Sequence, residues 1–123
     1  MGLFSRNNSG KINWEILSTE EQLTQLKELS KQKPVAIFKH STRCAISSMA
    51  MSRLERGWQL SEQAIKMYYL DLIQYRDVSN KIASIFSVVH QSPQIIVVSA
   101  GNVIYHASHG EIVSDTIKNI IED

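Results

Sequence analysis

Short apolar runs separated by helix-period segments leave this 123-residue chain few folds to choose from. Val35-Ala36-Ile37-Phe38 is continuous and apolar, follows Pro34, and is too short for a buried helix. It reads as a strand covered on both faces, as strands in parallel sheets are. Lys66-Met67-Tyr68-Tyr69-Leu70-Asp71 and Gln94-Ile95-Ile96-Val97-Val98-Ser99 repeat the pattern. Ile12, Trp14 and Ile16 alternate with polar residues and suggest a further short strand with one buried face.

The intervening segments carry helical spacing. Ser18-Thr19-Glu20-Glu21 has the form of a capping box, with Ser18 as cap and Glu21 reaching back. The helix it opens runs to about Lys31, with Leu23, Leu26 and Leu29 inward. A second helix follows Cys44, with Ile46, Met49, Ala50, Leu54 and Trp58 inward and Ser47, Ser48, Arg53 and Arg56 on the polar face. A third spans Asp77 to about Val89, with Val78, Ile82, Ile85, Phe86 and Val89 inward. Ala100-Gly101-Asn102 makes a turn into Val103–Ser108, the hairpin partner of the strand before it. Ser114 caps a last helix with Ile117, Ile120 and Ile121 inward.

The order β-α-β-α-β-α-β-β-α predicts an α/β fold. Alternation favours parallel pairing, the closing hairpin adds antiparallel strands, and helices cover both faces of a mixed sheet. Residues 1–11 are expected to form a flexible N-terminal segment and residues 12–123 a single domain.

Composition narrows the function. Thirteen basic residues against twelve acidic ones leave +1, which supplies no field for steering nucleic acid or an anionic membrane. No apolar stretch approaches the ~18 residues of a membrane span, and no signal-peptide core is visible. With one cysteine no internal disulfide is possible, which fits a reducing compartment. The expectation is a cytoplasmic protein.

That cysteine, Cys44, lies where a strand ends and a helix begins. Unpaired amides and the positive end of the helix dipole favour the thiolate there. Arg43 adds a cation, and Ser41, Thr42, Ser47 and Ser48 offer hydroxyls. A free cysteine is more often a small buried hydrophobe. Against that, Ser-Thr-Arg precedes Cys44, and open α/β sheets place their sites at the carboxyl ends of strands. His40 ends the strand leading to Cys44, a place that can bring it near the thiol, and reads first as simply a polar strand end. His106 and His109 have no cysteine near them in sequence, so no metal site is expected.

The segment Ser-Thr-Arg-Cys-Ala-Ile-Ser-Ser-Met-Ala, the downstream Arg-Leu-Glu-Arg-Gly-Trp and Ser92-Pro93-Gln94 together resemble the YtxJ-type monothiol bacilliredoxins. The resemblance runs from Trp14 onward and departs at Ala45, where family members often have proline. It implies a thioredoxin-like fold and thiol–disulfide exchange through Cys44, with Arg43, Thr42 and Ser47 stabilising the thiolate. Ser47 stands where dithiol thioredoxins carry a second cysteine. The resemblance also implies a cis peptide before Pro93, with Ser92 and Pro93 binding the thiol ligand. It implies no tightly bound cofactor. The co-substrate would be a low-molecular-weight thiol, bacillithiol or a similar one, the partners S-thiolated client proteins, and the regenerant a small thiol or a reductase. The alternative from another class is a non-catalytic thioredoxin-fold binding or stress-response module in which Cys44 is structural or a redox-sensing mark.

Overall fold

β2 (Val35–His40) is the middle strand of a five-stranded sheet, and every one of its residues is buried. The computed structural model describes residues 12–122, so the expected N-terminal segment 1–11 lies outside the described residues. The elements are β1 (Glu15–Ile16), α1 (Glu20–Leu29), β2, α2 (Ala45–Arg56), β3 (Lys66–Asp71), α3 (Arg76–Phe86), β4 (Gln94–Ser99), β5 (Asn102–Ser108), a 3-10 turn (His109–Glu111) and α4 (Ser114–Glu122). The spatial order is β1-β3-β2-β4-β5. β3 lies parallel to both β1 and β2, whereas β4 runs antiparallel to β2 and β5 antiparallel to β4. The mixed α/β sheet expected from the sequence is the one observed.

Alternation along β2 sorts the core into two layers. Val35 and Ile37 face one side and join Leu23 and Leu26 of α1 and Val78, Ile82 and Phe86 of α3. Ala36 and Phe38 face the other and join Ala50 and Leu54 of α2, Met67 and Tyr69 of β3, and Ile117 of α4. The two-residue turn between β4 and β5 has positive φ at both Ala100 (54°) and Gly101 (82°). Primed hairpin turns need positive φ, and glycine supplies it without strain.

Several local expectations are corrected. β1 is two residues long and Ile16 is exposed; Ile12, Trp14 and Leu17 are the buried ones. The chain stops alternating there because it must turn into α1. The capping box sits one residue later: Thr19 caps α1 and Gln22 is its reciprocal partner. The Gln22 amide oxygen accepts from the backbone amides of both Ser18 (2.8 Å) and Thr19 (3.0 Å), so it holds more of the turn than Glu21 would. α3 ends at Ser87, whose φ of 53° breaks the helix, so Val89 is 79% exposed and Val88 is buried instead.

The largest correction concerns α2. Its buried residues are Ser47, Ala50 and Leu54, while Ile46 and Met49 are 60% and 65% exposed. Trp58 is buried but lies beyond the helix. A stripe starting at Ser47 is acceptable because its hydroxyl finds partners inside the fold. Ser47 is therefore not on the polar face.

Candidate functional site

The carboxyl ends of β2 and β3, the amino end of β4 and the carboxyl end of β5 meet at one edge of the sheet. The register gives His40 opposite Asp71, Lys39 opposite Gln94, and Gln94 opposite Ser108. Continuing the β2–β4 register by one residue sets Pro93 level with His40. Two segments leave this edge: residues 41–44, which lead into α2, and the α3–β4 loop, which ends in Ser92-Pro93. The Ser92–Pro93 peptide is cis. The Pro93 carbonyl accepts from the His109 amide (3.1 Å), and Arg53 of α2 donates to the His109 carbonyl (3.1 Å). The cis-proline segment, the 3-10 turn and α2 are thus stitched together.

Cys44 is the N-cap residue of α2, with extended backbone (φ −113°, ψ 119°) and a half-buried side chain. Its amide donates to the Ser41 carbonyl (3.1 Å), closing a turn, and its carbonyl accepts from Ser48 (3.1 Å). The side chain makes no capping hydrogen bond. Thr42 and Arg43 are exposed in the turn before it. The cap position is the one from which a side chain addresses the first-turn amides of a helix.

Ser47 lies one turn further on and is fully buried. Its hydroxyl is 2.7 Å from His40 Nδ1 and accepts from the Ser41 amide at 3.1 Å. Its bonds therefore fix the turn that carries Cys44 and hold the serine in the fold. His40 is a packed residue as much as a strand end. Its ring stacks on Phe38 (6.0 Å, 23°) and lies 5.4 Å from Tyr69. Among the described residues every buried side-chain polar atom has a hydrogen-bond partner. None of them forms a cluster of three or more His, Cys, Asp or Glu side chains suited to a metal ion.

Lys39, Ser79 and Gln94 are buried polar residues at this edge that periodicity did not single out. The usable signal was Lys39-His40 itself, a cation and an imidazole ending an otherwise apolar central strand.

Burial lowers the pKa of His40, with Asp71 opposing it. Burial also lowers that of His90, reinforced by Lys39 and Arg76. A histidine whose folded pKa lies below its unfolded one resists protonation in the folded state. Its contribution to stability is complete above the unfolded value near 6.5 and is lost as pH falls through the folded value. The urea midpoint is expected to drop between about pH 7 and about pH 5. A flat midpoint over that window would count against the neutral folded state of these two imidazoles.

A family model described as "Monothiol bacilliredoxin BrxC" matches residues 15–117. The chain belongs to the monothiol bacilliredoxin family. This bacilliredoxin is accordingly a thioredoxin-fold thiol–disulfide oxidoreductase. A solved structure described as a candidate oxidoreductase with a thioredoxin fold is 32% identical, covering 89% of this chain and 94% of that one at a TM-score of 0.75. Two thioredoxins share the fold at lower identity. That of Trypanosoma brucei brucei is 15% identical, covering 96% and 99% of the two chains, TM-score 0.68. That of Malassezia sympodialis is 15% identical, covering 87% and 86%, TM-score 0.66. Among the described residues of this bacilliredoxin no helix is long and apolar enough to cross a membrane.

Proposed function

We propose that the protein removes bacillithiol, or a low-molecular-weight thiol like it, from mixed disulfides on S-thiolated client proteins. The observation that carries this reading is a single cysteine at the N-cap position of α2, with serine at the position three residues on. The Cys44 thiolate attacks the small thiol's sulfur in the client mixed disulfide. One S–S bond breaks and one forms. The client leaves as a thiolate, takes up a proton, and Cys44 keeps the small thiol as its own mixed disulfide. No net oxidation occurs in this step.

Regeneration is a second exchange. Ser47 has no thiol to offer, so an external thiolate, from a second small thiol or a reductase, attacks the Cys44-bound sulfur and restores the Cys44 thiolate. The positive end of α2 and the adjacent Arg43 and Thr42 supply positive and hydrogen-bonding groups beside the exchanging sulfurs. Ser92 and Pro93, at the same sheet edge, hold the extended disulfide ligand. Ile46 and Met49, exposed on the first turns of α2, supply apolar contact for a client beside the thiol. A cytoplasmic location and a part in the response to thiol stress follow from this chemistry.

The test is intact-mass spectrometry of the protein mixed with a bacillithiolated peptide, a glutathionylated peptide or a coenzyme A mixed disulfide. Transfer of bacillithiol to Cys44, faster than transfer of the other two, is expected. Equal rates for all three would remove bacillithiol from the proposal, and no transfer from any of them would remove the exchange reaction.

A further inference from the structure

A buried polar cluster on the opposite face of the sheet from His40 has no part in the exchange chemistry. Lys39 has no exposed surface. Its ammonium donates to the Ser79 carbonyl of α3 (3.3 Å) and lies 3.2 Å from His90 Nδ1. The Ser79 hydroxyl lies 3.5 Å from the same nitrogen. An ammonium only donates, so Nδ1 accepts and the imidazole proton sits on Nε2. Burial pushes Lys39 down to about 8. A lysine held here with no carboxylate among its hydrogen-bond partners costs free energy that an apolar residue would not. What the arrangement secures is the α3–β4 loop.

Other contacts anchor the same loop. Val88 is its buried apolar residue, while Val89 is exposed. Gln94, the register partner of Lys39, donates to the Val89 carbonyl (3.0 Å) and accepts from the Gln91 amide (3.4 Å). His90 stands two residues before Ser92. Adjacent residues of β2 thus brace the two segments of the site from opposite faces: His40 through Ser47 for the Cys44 turn, and Lys39 through His90 for the cis-proline loop.

We propose that Lys39, acting through His90, is the positioning residue of the Ser92-Pro93 loop and sets how tightly a mixed disulfide docks beside Cys44. The docking half of this statement rests on the exchange reading above. The test compares the full chain with Lys39→Met, His90→Ala and the double variant. Amide hydrogen exchange at residues 89–92 is expected to rise roughly tenfold in each single variant, and no further in the double. KM for the bacillithiolated peptide should rise by a similar factor, roughly five- to tenfold, while alkylation of Cys44 by iodoacetamide keeps its rate. The His90 NMR titration should move to higher pH in Lys39→Met, a change that a merely space-filling lysine would not cause.

Unchanged loop exchange in His90→Ala overturns the tether. A loosened loop with an unchanged KM overturns its role in docking. Should Lys39→Met fail to fold, the exposed His90→Ala variant decides alone. If the wild-type protein shows no turnover, the exchange reading is what fails, and the hydrogen-exchange result still decides the tether.

Discussion

Cys44→Ser is expected to abolish thiol exchange and, at the same time, to make the protein more stable. The loss follows from the chemistry: a serine hydroxyl at neutral pH neither attacks a disulfide nor holds the small thiol. The rate should fall by roughly three orders of magnitude or more, to that of the uncatalysed reaction. The gain follows from the position. Residue 44 has the extended backbone of an N-cap, yet its side chain makes no capping hydrogen bond. Serine is among the best N-cap residues, because its oxygen accepts from the amide of the second or third helical residue, here Ile46 or Ser47. Installing that bond should contribute about 0.5–1 kcal/mol. For a domain of this size the melting temperature would rise by roughly 2–6 °C. Differential scanning calorimetry and the peptide-transfer assay on one preparation measure both. A Cys44→Ser variant that melts lower than wild type would show that the sulfur contributes packing that outweighs the missing cap.

Phe38→Ala is expected to produce the largest loss of stability of any single change at the site. Phe38 is fully buried in the central strand, between parallel β3 and antiparallel β4. Its ring lies 5.9 Å from Trp14 and stacks on His40. It belongs to the layer shared with Ala50 and Leu54 of α2. Truncation removes buried apolar area and leaves a cavity that a sheet centre cannot close, at about 3–5 kcal/mol. Domains of this kind are stable by about 5–15 kcal/mol, so roughly a fifth or more of the total would go. The urea midpoint should fall with the slope unchanged. The same cavity lies against the His40 ring, whose Nδ1 partners Ser47, so the turn carrying Cys44 should loosen as well. Faster hydrogen exchange at the Ser41 amide, which donates to Ser47, would report it. A loss under about 1 kcal/mol would mean that the layer beneath α2 repacks, contrary to the close packing described.

Much of this protein is legible along the chain. The strand cores are set by apolar runs whose length and residue types exclude helix. Cys44 is locatable because a strand-to-helix junction is a local event, and the chemistry of a helix end depends only on nearby backbone. The missing second thiol is likewise visible at once, as Ser47.

The tertiary structure decided which face of α2 turns inward. By hydropathy Ile46 and Met49 belong inside. The fold exposes them and buries Ser47, because His40 and the Ser41 amide satisfy a hydroxyl that would otherwise be costly to desolvate. It decided equally that Lys39 could be buried, since the Ser79 carbonyl and His90 are 40 and 51 residues away in the chain. Hydropathy reads each residue against water. The burial of Ser47, Lys39 and Gln94 was settled by partners that only the packed sheet brings within hydrogen-bond distance.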